Sequence, residues 1–452
     1  MAAGTAMTAQ RVAVVGAGLA GLSAALELKR AGAHVEVFER MRMPGGKATS
    51  FIVDGVEVDN GQHVTLACCT DLTAFIDTLG MSHTVRMQPR FEVTVLARGH
   101  APSRLRAARL PAPLHLMPSF LRYPHLTLRD KLRVSRALVA ARRDRAPQGD
   151  MATWLAKHGQ SAAARTAFWD PFLVPALNAP LDESSAVDGL FVIRTAFVSD
   201  RRAARIGYTT VPLVRIAEAA AARVDALHLR TAVIDVEHDG RRASALRTES
   251  QARPDFDAYV LALPPQRLRA LDAAQPQRPF GIDGLDAFRT QPIVDVHLWY
   301  PVARGRVLGA AGFAALLGSP VQWVFEKAPG YLCCSLSAAG DAVRLPESEL
   351  VARCHAELAA VLPALQTVEP KRGAATRDPD ATFVPAPGLR RPGPRTALGN
   401  VVIAGAWTDT GWPATMESAV RSGRAAARAV LDTAATGSGS TTAAAQELAH
   451  AV

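Results

Sequence analysis

Apolar residues fall along the chain in short blocks, and the polar residues between them set the period of each block. Residues 11–16, RVAVVG, read as one short buried strand. The following AGLAGLSAALELKRAG reads as a helix that stops at Gly32. AHVEVFER is the next strand and ends at Glu39, so a β-α-β unit of about thirty residues opens the chain. PGGKATSF then forms a glycine loop, and VDGVEVDNGQH a hairpin closing on a polar turn. Residues 151–223 look mostly helical around an aromatic-polar knot, FWDPFLVPALNAP. Strand patterns return at 227–263: LHLRTAVIDVEHDGRRASALRT is a hairpin, and FDAYVLALPP a buried strand stopped by Pro264 and Pro265. More strands are expected at 293–337, a helix at 349–362, a strand at NVVIAGAW and a last helix at 413–432. The tail from 433, rich in Ala, Thr, Ser and Gly, is expected to be disordered.

One uncharged run, VLGAAGFAALLGSPVQWVF at 307–325, approaches the length of a membrane span. Gly318-Ser319-Pro320 is a turn signal and Gln322 breaks the apolar face, so two buried strands around a turn are predicted. The apolar start of the chain is explained by its glycine spacing, and no basic leader with a small-residue cleavage site frames it.

At 452 residues and 49% hydrophobic content, the chain is too long for one core and too apolar for global disorder. The five cysteines are odd in number and include two adjacent pairs, which fits neither a disulfide framework nor a metal site and points to a reducing cytoplasm. The net charge of +10 is carried almost wholly by arginine and matters through its distribution. Residues 86–146 hold fourteen Arg and Lys against Glu92, Asp130 and Asp144, interleaved with apolar and aromatic residues. That mixture suits a surface resting on anionic lipid, or a helical lobe with a solvated basic face. No recognition motif accompanies the charge, so nucleic acid is not expected as a partner.

Gly16, Gly18 and Gly21 follow a strand and open a helix, the spacing that lets backbone approach a pyrophosphate at a helix N-terminus. Glu39 stands where a carboxylate binds adenosine ribose hydroxyls. Gly45 and Gly46 add a loop rich in N–H groups, and Lys47 can meet phosphate charge.

A second glycine loop in that place resembles the flavin amine oxidase and phytoene desaturase superfamily. VDNGQHVTLACC, FWDPFLVPALNAP and LRRPGPRTALGNVVIAGAWTDTGWPATMESAVRSG resemble hydroxysqualene dehydroxylases more narrowly, and VDVHLWY and VQWVFEK fit the same pattern. The resemblance spans about residues 10–432. It implies an α/β fold: a Rossmann-type FAD-binding domain with an inserted α+β substrate domain. The expected FAD-binding parts are 8–85, 215–270 and 385–432, and the substrate domain 86–214 and 271–384, with 433–452 as the tail. The implied cofactor is FAD and the implied reaction removes the hydroxyl of hydroxysqualene with reduced flavin, giving squalene and water. Gly405, Trp412, Thr415 and Met416 would lie at the flavin end, with Pro413 in the first turn of the last helix. Ala17, Arg40, Ala48 and Val233 complete the expected cofactor contacts. Position 406 is usually Asp in that family, where its carboxylate would bind a ribityl hydroxyl; Ala406 lacks that anchor.

Loss of hydroxide needs an acid. Asp59 and His63 share a turn that the fold should bring towards the flavin, and Asp409 is a third candidate. Each also has a purely structural reading, as a turn tie or a helix cap. Asp170 and Asn178 are read as organising the helical lobe, and Cys68 and Cys69 as packed thiols. The apolar substrate implies peripheral contact with the inner face of the cell membrane through 86–146, and upstream squalene-pathway enzymes as possible partners. Rival readings are a carotenoid-type desaturase or isomerase, an amine oxidase, and a non-catalytic lipid carrier or scaffold.

Overall fold

The structure, a computed structural model, describes residues 9–449 apart from 54, 255, 276–277 and 302–305. Two sheets organise it. The first is parallel, with strands in the order Ala226–His228, His34–Phe38, Arg11–Val15, Ala258–Leu261 and Val401–Ile403. Its central strands are apolar runs because both faces are covered. Helices Leu19–Arg30, Val214–Ala221 and Met416–Ala449 pack on one face. A small antiparallel sheet, built from Val233–His238, Ala243–Thr248 and Ala252–Pro254, shares a core with the other.

The second sheet has seven strands, in the order Arg372–Phe383, Thr290–Trp299, Tyr331–Leu336, Trp323–Ala328, Phe313–Leu316, Glu92–Leu96 and Ser103–Arg106. A helical lobe from residues 114–198 shares a core with one side. Helix Glu347–Ala359 packs on the other. The uncharged run 307–325 contributes Phe313–Leu316 and the start of Trp323–Ala328 on either side of a turn, as its Gly-Ser-Pro predicts. Among the described residues, no helix is long and apolar enough to cross a membrane.

Several elements differ from the sequence reading. Arg372–Phe383, the longest strand, carries Arg377, Asp378, Pro379 and Asp380 and shows no strand pattern. It forms an edge of the sheet, and Pro379 falls where the register with Thr290–Trp299 shifts, the two settings that tolerate proline. Within 151–223, Ile206–Thr209 is a strand pairing with Thr65–Leu66 and Val85–Met87. The last helix starts at Met416, after Pro413, and Thr415 caps it by accepting from Ser418 N at 3.2 Å. The helix is bounded at Ala449; the disorder expected from residue 433 falls largely on side chains outside the described ones.

Candidate active site

The cofactor cradle is built by close backbone approach. A Cβ on Gly21 would stand 1.9 Å from Gly16 O, and one on Gly16, whose φ is +103°, would stand 2.5 Å from Ala262 O. Helix Leu19–Arg30 starts from Gly18 without a side-chain cap or an acidic first turn, leaving its N–H groups to an anion. The second loop folds onto the first: Gly18 bridges Gly45, and Gly45 N donates to Ala17 O at 2.8 Å. A Cβ on Gly46 would lie 3.1 Å from Gly18 Cα. Buried Glu39 ties the cradle together, accepting from Ala17 N at 2.9 Å and Met41 N at 2.8 Å. The chain at 228–231 runs alongside Glu39 by backbone hydrogen bonds, and Val233 packs against the core that holds Phe38. Arg40 is exposed beside the acid and Ala48 is buried. These residues fit a dinucleotide: an unfilled helix N-terminus, two glycine turns in contact and a carboxylate at the strand end.

Lys47, expected to meet phosphate, pairs with Asp378 at 3.0 Å and donates to Asp380 O, both on the unforeseen edge strand.

The second half of the cradle is the loop after Val401–Ile403. A Cβ on Gly405 would meet Trp407 Nε1 at 2.4 Å, and that indole N–H donates to Leu263 O at 2.9 Å. Arg391, absent from the sequence candidates, organises the loop. It donates to the carbonyls of Ala406 at 2.8 Å, Trp407 at 3.2 Å, Thr408 at 2.5 Å and Trp412 at 2.6 Å. Burial lowers its pKa. The Ala406 carbonyl also accepts from Ser418 Oγ at 3.0 Å, so backbone groups hold this position while its methyl adds no polar contact. Trp412 is half-buried, edge-on to Phe191 at 5.1 Å and under the Arg421 guanidinium at 4.9 Å. Gly423 lets the last helix touch the first, where a Cβ would come within 2.2 Å of Ala20 O.

A polar cluster forms the junction between the hairpin Ser50–Val53/Val56–Asp59, with the turn after it, and the seven-stranded sheet. Asp59 Oδ1 accepts from Ser50 Oγ at 2.8 Å and Leu213 N at 2.9 Å, and its Oδ2 pairs with Lys327 at 3.2 Å. Asp295 is buried; its Oδ1 accepts from Gln62 N at 3.2 Å, while Oδ2 has no hydrogen-bond partner. Burial pushes its pKa up to about 6. His297, two residues along the same strand, contacts Tyr331 Oη at 2.8 Å, and burial with the nearby Lys327 charge pushes it down to about 4. Gly61 separates Asp295 from His63: a Cβ there would be 3.1 Å from Asp295 Oδ2 and 3.5 Å from His63 Cε1. His63 Nδ1 meets Gly61 O at 2.8 Å, and burial lowers its pKa. Its ring lines a pocket with Ala48, Leu213 and Met416.

Of the sequence candidates, the structure thus brings His63, Ala48 and Met416 together, with Asp59 bonded to the Leu213 backbone behind them. Asp409 sits apart, exposed in a turn that its carboxylate closes by accepting from Gly411 N at 3.3 Å. Asn178 joins the helical lobe to the large sheet, donating to Gln291 O at 3.1 Å and Thr382 Oγ1 at 3.0 Å and accepting from Ala338 N at 2.7 Å. Asp170 lies in the same lobe, its pKa raised by burial. Cys69 is buried and Cys68 half-buried. The missed residues Asp295 and His297 alternate with Val294, Val296 and Leu298, so a period of two in VDVHL was the available signal.

The profile of the flavin containing amine oxidoreductase family matches residues 19–431. The chain is 29% identical to a hydroxysqualene dehydroxylase of Zymomonas mobilis, over 92% of this chain and 98% of that one. It is 30% identical to a hydroxysqualene dehydroxylase of Rhodopseudomonas palustris, over 93% and 98%. Its fold is similar to that of a putative protoporphyrinogen oxidase from Exiguobacterium, with a TM-score of 0.71 and 17% identity over 94% and 99% of the two chains. The chain belongs to the flavin containing amine oxidoreductase family and is an FAD-dependent oxidoreductase.

Proposed function

We propose that this enzyme removes the hydroxyl of hydroxysqualene to give squalene and water. The observation that carries the reading is the near full-length similarity to two hydroxysqualene dehydroxylases. The chemistry that reduced FAD would supply, once held in the cradle, is hydride transfer. Gly16, Gly18, Gly21, Gly45, Gly46 and Glu39 hold the nucleotide end, and the 405–416 loop, fixed by Arg391, holds the flavin end. The remaining task is a proton for the departing hydroxyl, so that substrate, hydride and proton give squalene and water. His63 is assigned this role. Its Nδ1 is engaged by Gly61 O, and the residue lines the pocket, so Nε2 is the nitrogen assigned to the proton. Burial lowers its pKa, so less imidazolium is present but what forms gives up its proton more readily. Asp59 and Asp378 favour its charged form and Lys327 opposes it, and Asp409 has no part in the step. Peripheral contact with the inner face of the cell membrane, through residues 86–146, belongs to the same reading because the substrate is a hydrocarbon in all but one group.

The test is single-turnover reoxidation of the reduced flavin by hydroxysqualene in His63→Gln. A slowing of about a hundredfold or more, with FAD affinity unchanged, is the expected result for loss of an acid. An unchanged rate overturns the assignment of His63.

A further inference from the structure

The helical lobe contains a second cavity, outside the cofactor cradle, narrow inside and open at its mouth. Phe91, Phe120, Phe168, Phe172 and Phe197 line it with Leu138. Their rings meet largely edge-on, at 5.3 Å for Phe120–Phe168, 5.5 Å for Phe172–Phe197 and 5.7 Å for Phe91–Phe197. Only two lining side chains carry polar atoms, and both are already bonded. Ser135 Oγ donates to Lys131 O at 2.9 Å, and Trp169 Nε1 donates to Gln160 Oε1 at 2.9 Å. A ligand with hydrogen-bonding groups would lose its hydration here and gain no partner, so the wall selects for hydrocarbon.

The elements that line this cavity are apolar on their outer side too. Leu116, Met117 and Phe120 face it, while Leu114 and Leu121 on the same short helices are 52% and 56% exposed. Helix Leu128–Arg143 supplies Ser135 and Leu138 to the wall. Its Leu128, Leu132 and Val139 are 79%, 53% and 48% exposed, at the i, i+4, i+11 spacing of one stripe. A water-facing helix does not need such a stripe. Exposed Arg122, Arg129 and Arg136 flank it and complement anionic headgroups.

We propose that this cavity holds an isoprenoid chain of the substrate, taken up from an anionic bilayer on which the Leu114, Leu121, Leu128 and Leu132 face rests. The inference rests on the reading of a long apolar substrate and adds its place and its route.

The test uses the FAD-loaded enzyme, vesicles of equal phosphatidylglycerol and phosphatidylcholine, and a geranylgeranyl hydrocarbon carrying a diazirine. After photolysis, peptide mapping should find the label on Phe91, Phe120, Phe168, Phe172 or Phe197. Leu138→Trp, which fills the cavity, should cut that labelling at least tenfold while the flavin spectrum stays unchanged. L121S/L128S/L132S should cut labelling from vesicles at least fivefold and leave labelling from detergent micelles intact. Label found only outside the lobe overturns the cavity assignment. Equal labelling of the triple variant from vesicles overturns the lipid-facing route, as does a change of oligomeric state with vesicle binding retained, which would make the face a contact between copies. Labelled cavity residues without turnover of hydroxysqualene would sink the dehydroxylation reading and leave the cavity standing. Turnover with the label elsewhere would do the reverse.

Discussion

The cofactor cradle and the junction of the Asp59 hairpin with the large sheet treat polar groups in opposite ways. In the cradle they are paired: Glu39 uses both oxygens on backbone N–H groups, Arg391 takes four carbonyls, and Ser23 Oγ donates to Val420 O at 2.9 Å. At the junction and in the helical lobe, Gln62 Oε1, Asp295 Oδ2 and Asp170 Oδ1 are buried without hydrogen-bond partners. Full pairing fixes a shape and suits a site that holds a large cofactor still. A buried carboxyl with one oxygen left unpaired is instead raised in pKa by burial, as Asp295 and Asp170 are. One region pairs its polar groups throughout and the other leaves some buried and unpaired.

Breaking the holding region should have the largest effect. Gly423→Val places a side chain against the backbone of Ala20 where a Cβ alone is already too close. Loss of bound flavin and destabilisation by about 3 kcal/mol or more are expected, measured by the flavin spectrum and urea unfolding. Leu173→Ala in the helical lobe should also destabilise by about 2–5 kcal/mol but leave flavin binding intact. If Leu173→Ala loses the flavin as fully as Gly423→Val, the two regions are not separable.

The junction can be sharpened by pH. Asp295 has a folded pKa raised to about 6 from 3.8, so its contribution to stability is present at low pH and is lost as pH rises through about 4 to 6. His297 has a folded pKa lowered to about 4 from 6.5, so its contribution is present at higher pH and is lost as pH falls from about 6.5 to 4. The two trends oppose each other in one window. Relative to the parent chain, Asp295→Asn should therefore gain stability by up to about 3 kcal/mol as pH rises from 4 to 6.5. His297→Gln should lose a similar amount over the same range. Denaturant unfolding at several pH values reads both, and parallel curves for all three proteins would contradict the assignment.

The smallest effect concerns Ala406. Its carbonyl is held by Arg391 and Ser418, so the loop is shaped without the carboxylate usual in the resembling family. Ala406→Asp should tighten FAD binding roughly tenfold to a hundredfold, the worth of one charged hydrogen bond of about 1.5–3 kcal/mol. Equal affinity by titration would show that the carboxylate finds no partner here.

The same contrast explains what was legible in the sequence. The cradle announces itself because its determinants are local: three glycines and one acid within thirty residues, next to apolar strands. The turn that splits 307–325 is equally local. The junction is assembled from Asp59, Gln62, Asp295 and Lys327, which only the pairing of distant strands brings together. Lys47 looked free for phosphate because Asp378 lies on an edge strand with no apolar alternation. Arg391 stands in a proline-rich loop, and its role depends on carbonyls that a sequence does not locate.

The measurement that tests the account most directly is an anaerobic single turnover. The purified enzyme is loaded with FAD, reduced, and mixed with hydroxysqualene while the visible spectrum is followed and products are extracted for mass spectrometry. The account predicts reoxidation of the flavin with an equal amount of squalene formed. Flavin that binds but stays reduced would contradict the proposed reaction, leave the fold and cofactor in place, and turn the search to desaturase and amine substrates.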